Sequence, residues 1–174
     1  MNDFDLQPTL KNELVILRPL REEDFEDLYE VASDPLIWVQ HPAKERSQRE
    51  GFGVFFKDAM ASQGAFVVID KKTNKIIGST RFNRAKESPD AIEIGWTFLA
   101  RSYWGGRYNQ AIKKLQIDYA FNYVERILFY IHENNLRSQK AVEKLGGERI
   151  TSIEGRVLEI RPNASVIYQI GKEK

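Results

Sequence analysis

The chain has 174 residues, enough for one domain across residues 1–174 with a sizeable core, and its 42% hydrophobic and 29% charged residues are ordinary for a globular protein. Its 26 basic and 25 acidic side chains leave a formal net charge of +1, which argues against broad electrostatic capture of nucleic acid or of an anionic membrane. Cysteine is absent, so a disulfide framework and a thiol nucleophile are excluded; with only His41 and His132, no metal site and no Ser-His-Asp triad are expected.

The stretch Met1 to Thr9 is mixed polar and acidic without an apolar signal core, and no run approaches the ~18 apolar residues of a membrane span, so the expected address is the cytoplasm. Leu14 to Pro19 is short and β-branched, and reads as a first strand ended by Pro19. Arg21 to Val31 predicts a charged helix showing Phe25, Leu28 and Tyr29 on one face, stopped by the Ser33-Asp34-Pro35 turn. Ser47 to Gln63 reads as a second helix with Phe52, Phe55, Phe56 and Met60 at helical spacing.

Phe66–Ile69 and Ile76–Phe82, joined by the polar Asp70–Lys75 linker, predict a hairpin. Beyond the Glu87-Ser88-Pro89-Asp90 turn, Ala91 to Leu99 is another strand. Asn109 to Val124 predicts a long amphipathic helix with Ile112, Leu115, Tyr119 and Tyr123 as its stripe, and Ile127 to His132 a strand. Asn135 to Leu145 reads as a short helix stopped by Gly146-Gly147, and weaker strands near Glu148–Ile153 and Ser165–Ile170 close the chain. The elements describe an α/β domain with a mixed sheet.

Three segments carry candidate chemistry. Trp104-Gly105-Gly106-Arg107-Tyr108-Asn109-Gln110 sits where a strand feeds the long helix; unpaired N–H groups at a helix N-terminus suit a phosphate, and glycines permit close backbone approach. The same pattern also serves a plain strand-to-helix turn. Asn134-Asn135-Leu136-Arg137-Ser138 is either a helix cap or part of a site. Glu93 interrupts an apolar strand: alternation puts Ile92, Ile94 and Trp96 on one face and Glu93, Gly95 and Thr97 on the other, leaving the carboxylate on a solvated face, paired with an arginine, or lining a cleft.

Together with Leu17-Arg18-Pro19-Leu20, Glu22-Glu23-Asp24, Ile77-Gly78 and Ala141-Val142-Glu143-Lys144-Leu145-Gly146-Gly147, these segments resemble the GNAT superfamily, and more closely its RimJ/RimL-type branch of N-acetyltransferases. The resemblance covers nearly the whole chain through the order and spacing of its matches. It implies a mostly antiparallel sheet of about six or seven strands flanked by about four helices, with splayed strands forming a V-shaped acetyl-CoA site. It implies an enzyme moving an acetyl group from acetyl-CoA to a primary amine, either a protein N-terminus or a small molecule, by direct attack in a ternary complex. The pantetheine arm is then expected along Thr97-Phe98-Leu99, the pyrophosphate on Trp104, Gly105, Gly106, Arg107, Tyr108, Asn109 and Gln110, and the cofactor arm against Asn135. Ser138 matches a hydroxyl that reaches the departing sulfur.

A carboxylate such as Glu93 is a plausible base for the acceptor ammonium, with Tyr130 and His132 as alternatives. Trp38, Phe52, Phe55 and Phe56 are expected to be mainly core, and His41 a surface loop residue. Arg107 and Asn109 stand where the family carries small residues, and they motivate a second reading, a non-catalytic acyl-CoA sensor or scaffold. A nucleic-acid module using Lys113, Lys114, Arg137 and Lys140 lacks a stacking motif. Homodimerisation is common in the family, and no residue here demands it.

Overall fold

The computed structural model describes residues 4–86 and 88–173; Met1–Asp3 of the N-terminal stretch, Glu87 of the expected 87–90 turn and Lys174 lie outside the described residues. The chain runs through β1 (Leu10–Lys11), β2 (Val15–Pro19), α1 (Phe25–Ala32), α2 (Arg49–Ser62), β3 (Ala65–Asp70), β4 (Lys75–Arg84), β5 (Ala91–Leu99), α3 (Tyr108–Ala120), β6 (Arg126–Ile131), α4 (Leu136–Lys144), β7 (Glu148–Ile150), β8 (Ser152–Ile153), β9 (Arg156–Val157) and β10 (Val166–Gly171). Single 3-10 turns occupy Glu22–Asp24, Pro35–Trp38, Lys44–Ser47 and Arg101–Tyr103. No helix among the described residues is long and apolar enough to cross a membrane.

Local chemistry sets several boundaries. Asp24 accepts from the Arg21 N–H and takes a two-pronged bond from Arg18 at 2.7 and 2.8 Å, tying the entry of α1 back to β2. Asp34 caps the next turn by accepting from Leu36 N–H, with Pro35 supplying a preset φ. The α4 helix ends at Gly146 with φ +89°, the left-handed stop expected there.

Eight strands form one sheet in the order β1-β2-β3-β4-β5-β6-β10-β7. Every neighbouring pair is antiparallel except β5 and β6. The mixed, mostly antiparallel sheet with four helices is therefore the architecture found. β1 and β9 go beyond the expected elements, being too short to impose a period on the sequence, and the strand expected near Glu148–Ile153 is split, β7 joining the large sheet and β8 pairing with β9 apart from it.

Helices cover both faces. On one, Leu17, Phe66, Phe82, Ile92, Ile94 and Ile127 pack with Ile112 and Ala120 of α3 and Val142 of α4. On the other, Val67 and Phe98 pack with Leu28 of α1 and Phe52, Phe55 and Phe56 of α2. Sandwiched on both sides, β3 reads as the continuous apolar run Ala65-Phe66-Val67-Val68 rather than an alternating one.

The strict alternation expected along β5 does not hold. Trp96 has φ +52°, and two residues of β5, Trp96 and Thr97, face the single Thr80 of β4: a β-bulge. The extra residue re-phases the strand. Trp96 packs with the α1/α2 face beside Phe98, whereas Ile92, Ile94 and Leu99 belong to the α3 face, and Thr97 turns toward α3 as well. A left-handed backbone at a non-glycine residue costs ~1–3 kcal/mol and persists only where its surroundings hold it. Here the Arg81 guanidinium lies 4.4 Å from the Trp96 ring centroid.

Close contact of β4 and β5 just past the bulge rests on Gly78, where an added Cβ would meet the Phe98 carbonyl oxygen at 2.0 Å. Gly78→Ala is expected to lower stability by about 1–3 kcal/mol, as overpacking does. Gly53→Ala, in the interior of α2 with open space around it, is expected to stabilise by up to ~1 kcal/mol. Paired thermal and denaturant unfolding of the two variants checks both signs.

Candidate active site

β5 and β6 pair in parallel only from Ala91↔Arg126 to Glu93↔Leu128. Beyond that point β5 stays with β4 and β6 stays with β10, so the two strands separate and a cleft of about 500 Å³ opens between them. Thr97, Phe98 and Leu99 form one wall and Phe129 to His132 the other; Gly105, Gly106, Asn109 and Gln110 approach from the start of α3, and Asn135 and Ser138 from the start of α4. Thus most of the sequence-predicted site converges on one cavity.

The two helix starts differ in a way that bears on ligands. α4 is capped: the Asn135 side chain accepts from Ser138 N–H at 3.3 Å, the capping alternative left open by the sequence, while Asn135 also lines the cleft. α3 has no side-chain cap at all, and Arg107, its N-cap residue, is exposed. A 13-residue helix with an uncapped N-terminus beside two glycines fits an anionic group such as a phosphate. Gly105 has φ +69°, and a Cβ on either Gly105 or Gly106 would meet nothing within 4 Å, so internal crowding does not demand these glycines.

Two loop residues lie elsewhere than their neighbours. Arg107 and Tyr108 do not line the cleft. The Tyr108 hydroxyl donates to Asp70 at 3.0 Å beside that of Tyr103, also at 3.0 Å, which fastens the loop to the end of β3. Asn109 has ordinary helical backbone inside α3; the left-handed angle in this loop belongs to Gly105.

Glu93 is also displaced from the expected setting. Of the three environments open to it, the arginine pair is the one found: Arg161 Nη1 donates to both carboxylate oxygens at 2.8 and 3.0 Å, and Asn83 Nδ2 adds a bond at 3.1 Å. Its side chain is 3% exposed and is absent from the cleft lining, whereas Tyr130 and His132 are part of it. His41, expected on a surface loop, lines the cleft beside Trp38; burial, followed by the nearby Arg46, His132 and Arg137, pushes its imidazole down to about 4.

A matching family model covers residues 15–148, the acetyltransferase (GNAT) domain. The chain belongs to the GNAT acetyltransferases. Over 149 residues this acetyltransferase is 30% identical to the Bacillus licheniformis protein named Uncharacterized N-acetyltransferase p20, covering 81% of the chain and 83% of the relative. Its fold matches the GNAT-family acetyltransferase structure from Bacillus anthracis with a TM-score of 0.73 at 21% identity, over 94% of this chain and 98% of that one. Mycobacterium smegmatis RimJ, solved in complex with CoA-disulfide, matches with a TM-score of 0.65 at 16% identity, over 94% and 86% of the two chains.

The sequence singled out neither Arg137 nor Lys113 as an acetyl-CoA-site residue of the acetyltransferase, yet both line the cleft. Arg137 donates to the Ile37 carbonyl at 3.2 Å and stacks 3.7 Å from the Trp104 ring centroid, while Trp104 Nε1 donates to Leu99 O at 3.0 Å. These contacts clasp the start of α4 to the segment following α1. Lys113, also a cleft residue, is 6% exposed. It donates to Thr97 Oγ1 at 2.5 Å; Thr97 and Thr80 hydroxyls lie 2.8 Å apart, and Thr80 donates to Gln116 at 3.0 Å. The available signal was spacing: Lys113, Gln116 and Ala120 recur at three and four residues on the helix side that Ile112 also shares.

Burial pushes the Lys113 ammonium down to about 7 from its ordinary 10.5. A depressed lysine binds fewer protons folded than unfolded between those values, so stability rises with pH through that window and the burial penalty is fully present below it. Lys113→Met is expected to raise the unfolding free energy on the order of a few kcal/mol near pH 6–7, with the gain fading toward pH ~10. Urea unfolding across that range tests this; a gain independent of pH would assign the effect to packing alone.

Proposed function

We propose that this acetyltransferase moves an acetyl group from acetyl-CoA to a primary amine, on a small molecule or a protein N-terminus, by direct attack within a ternary complex, using one domain that spans residues 1–174. The observation that carries this reading is the uncapped N-terminus of α3 opening on a cleft whose wall is the β5 edge left without a strand partner. Acetyl-CoA supplies an acetyl group activated as a thioester. The main-chain N–H groups of Gly105 to Gln110 hold its pyrophosphate, and the main chain of Thr97 to Leu99 aligns its arm, with Trp104 and Asn135 alongside.

The chain's own side chains then move two protons. The Ser138 hydroxyl, half-buried on the cleft wall, passes one to the departing sulfur and takes back the proton the nitrogen sheds as the amide forms, a modest demand because thiols of this kind have pKa values near ~8.5. An acceptor ammonium, with a pKa of ~8 for an α-amine or ~10.4 for a lysine-like amine, must lose the other before it can attack. Two arrangements serve. Glu93 acts once its Arg161 partner gives way, or His132 and Tyr130 act as they stand in the cleft. Arg107 is not among the cleft-lining residues, and Asn109, which is, sits in regular helix, so neither residue by itself favours the sensor reading over catalysis.

Ser138→Ala is expected to lower kcat by about tenfold or more at nearly unchanged acetyl-CoA affinity, the pattern of a contact made in the transition state. Glu93→Gln is expected to lower kcat far more than it weakens acetyl-CoA binding. Both are read by CoA release over an amine panel and by isothermal titration with acetyl-CoA. Near-wild-type turnover of Glu93→Gln leaves the base role to His132 and Tyr130, and tight acetyl-CoA binding without turnover on any amine would revive the sensor.

A further inference from the structure

We propose that the acceptor is a small amine that also carries a carboxylate, an amino-acid-like molecule, and that Arg46 binds that carboxylate. This rests on the acetyl-transfer reading and deepens it by naming the substrate class. Arg46 stands on the 3-10 turn Lys44–Ser47 and lines the cleft. Its guanidinium lies 4.5 Å from the Phe55 ring centroid and 5.7 Å from that of Trp38, so two aromatic faces flatten and orient it. None of the ion pairs among the described residues includes it. Burial draws it down to about 10, with Glu45 and Asp58 opposing that fall and Arg81 adding to it, so it remains a cation at neutral pH. The nearby Asp58 is already taken by Arg81 at 2.8 Å. A partly desolvated, oriented guanidinium without a carboxylate is a fork built for one.

The rest of the lining agrees. Among the described residues the cleft wall contains no aspartate or glutamate, while Arg46, Arg137, Lys140 and Lys144 supply cations. Lys140 and Lys144 belong to α4, on the same side of the sheet as α3, where a phosphate-bearing ligand has its own helix N-terminus. Arg46 stands on the opposite side, against the α1/α2 core, so its anion belongs to the acceptor. A polyamine would bring further positive charge to a wall that offers no carboxylate to receive it.

The test is CoA release with the twenty amino acids, their carboxamides and spermidine, at saturating acetyl-CoA, alongside titration calorimetry with acetyl-CoA. At least one free amino acid is expected to exceed its carboxamide and spermidine in kcat/KM by at least about tenfold, the discrimination expected of a site built for a polar group. Arg46→Gln is expected to abolish that preference through KM while holding the acetyl-CoA Kd within about twofold, and Arg46→Lys, keeping charge but losing the fork, to retain part of it. Equal turnover of the carboxamide or of spermidine overturns the proposal, as does an unchanged preference in a folded Arg46→Gln protein, or no turnover of any free amino acid with acetyl-CoA bound. Failure to bind acetyl-CoA at all would instead overturn the underlying acetyl-transfer reading.

Discussion

Adjacent strands in a sheet normally satisfy each other's N–H and C=O groups along their whole length. β5 and β6 do so for three residue pairs and then part, because each has a stronger claim on its other side: β5 on β4, and β6 on β10 over six residues. The separation leaves polar main chain along one edge of β5 inside the molecule, and buried unpaired backbone is tolerated only where a ligand or water completes it. The cleft, its peptide-like lining and the approach of two helix starts all follow from that parting.

The bulge at Trp96 works with the splay. It turns Trp96 and Phe98 toward α1 and α2 and turns Thr97 toward α3, where Lys113 and Gln116 wait. One left-handed residue thus assigns apolar side chains to one side of the sheet and a hydroxyl chain to the other. Arg81 supports the arrangement by stacking on Trp96 while held by Asp58.

Charge is divided just as sharply. The carboxylate expected at the reacting centre, Glu93, is matched with Arg161, while Arg46 and Lys113 line the cleft and form no ion pair among the described residues. A wall of this kind selects by sign before it selects by shape. On the proposed reading, it would take an anionic donor at one end and an anionic group of the acceptor at the other.

Periodicity and punctuation determined most of the elements: the Gly146 stop, the Asp34-Pro35 turn, the strand at 91–99 and the apolar stripe of α3 are local events that neighbouring residues decide. The family motifs likewise marked Thr97 to Leu99, Gly105, Gly106, Asn135 and Ser138, which the fold brings to one cavity. Only the tertiary structure decided which way residues past the bulge face, since a single inserted residue reverses an alternation that no local pattern announces. It alone also paired Glu93 with Arg161, 68 positions away, and brought His41 and Arg46 to the cleft from a segment that carries no motif. The partners of a buried charge are chosen by long-range packing, and sequence spacing has no access to that choice.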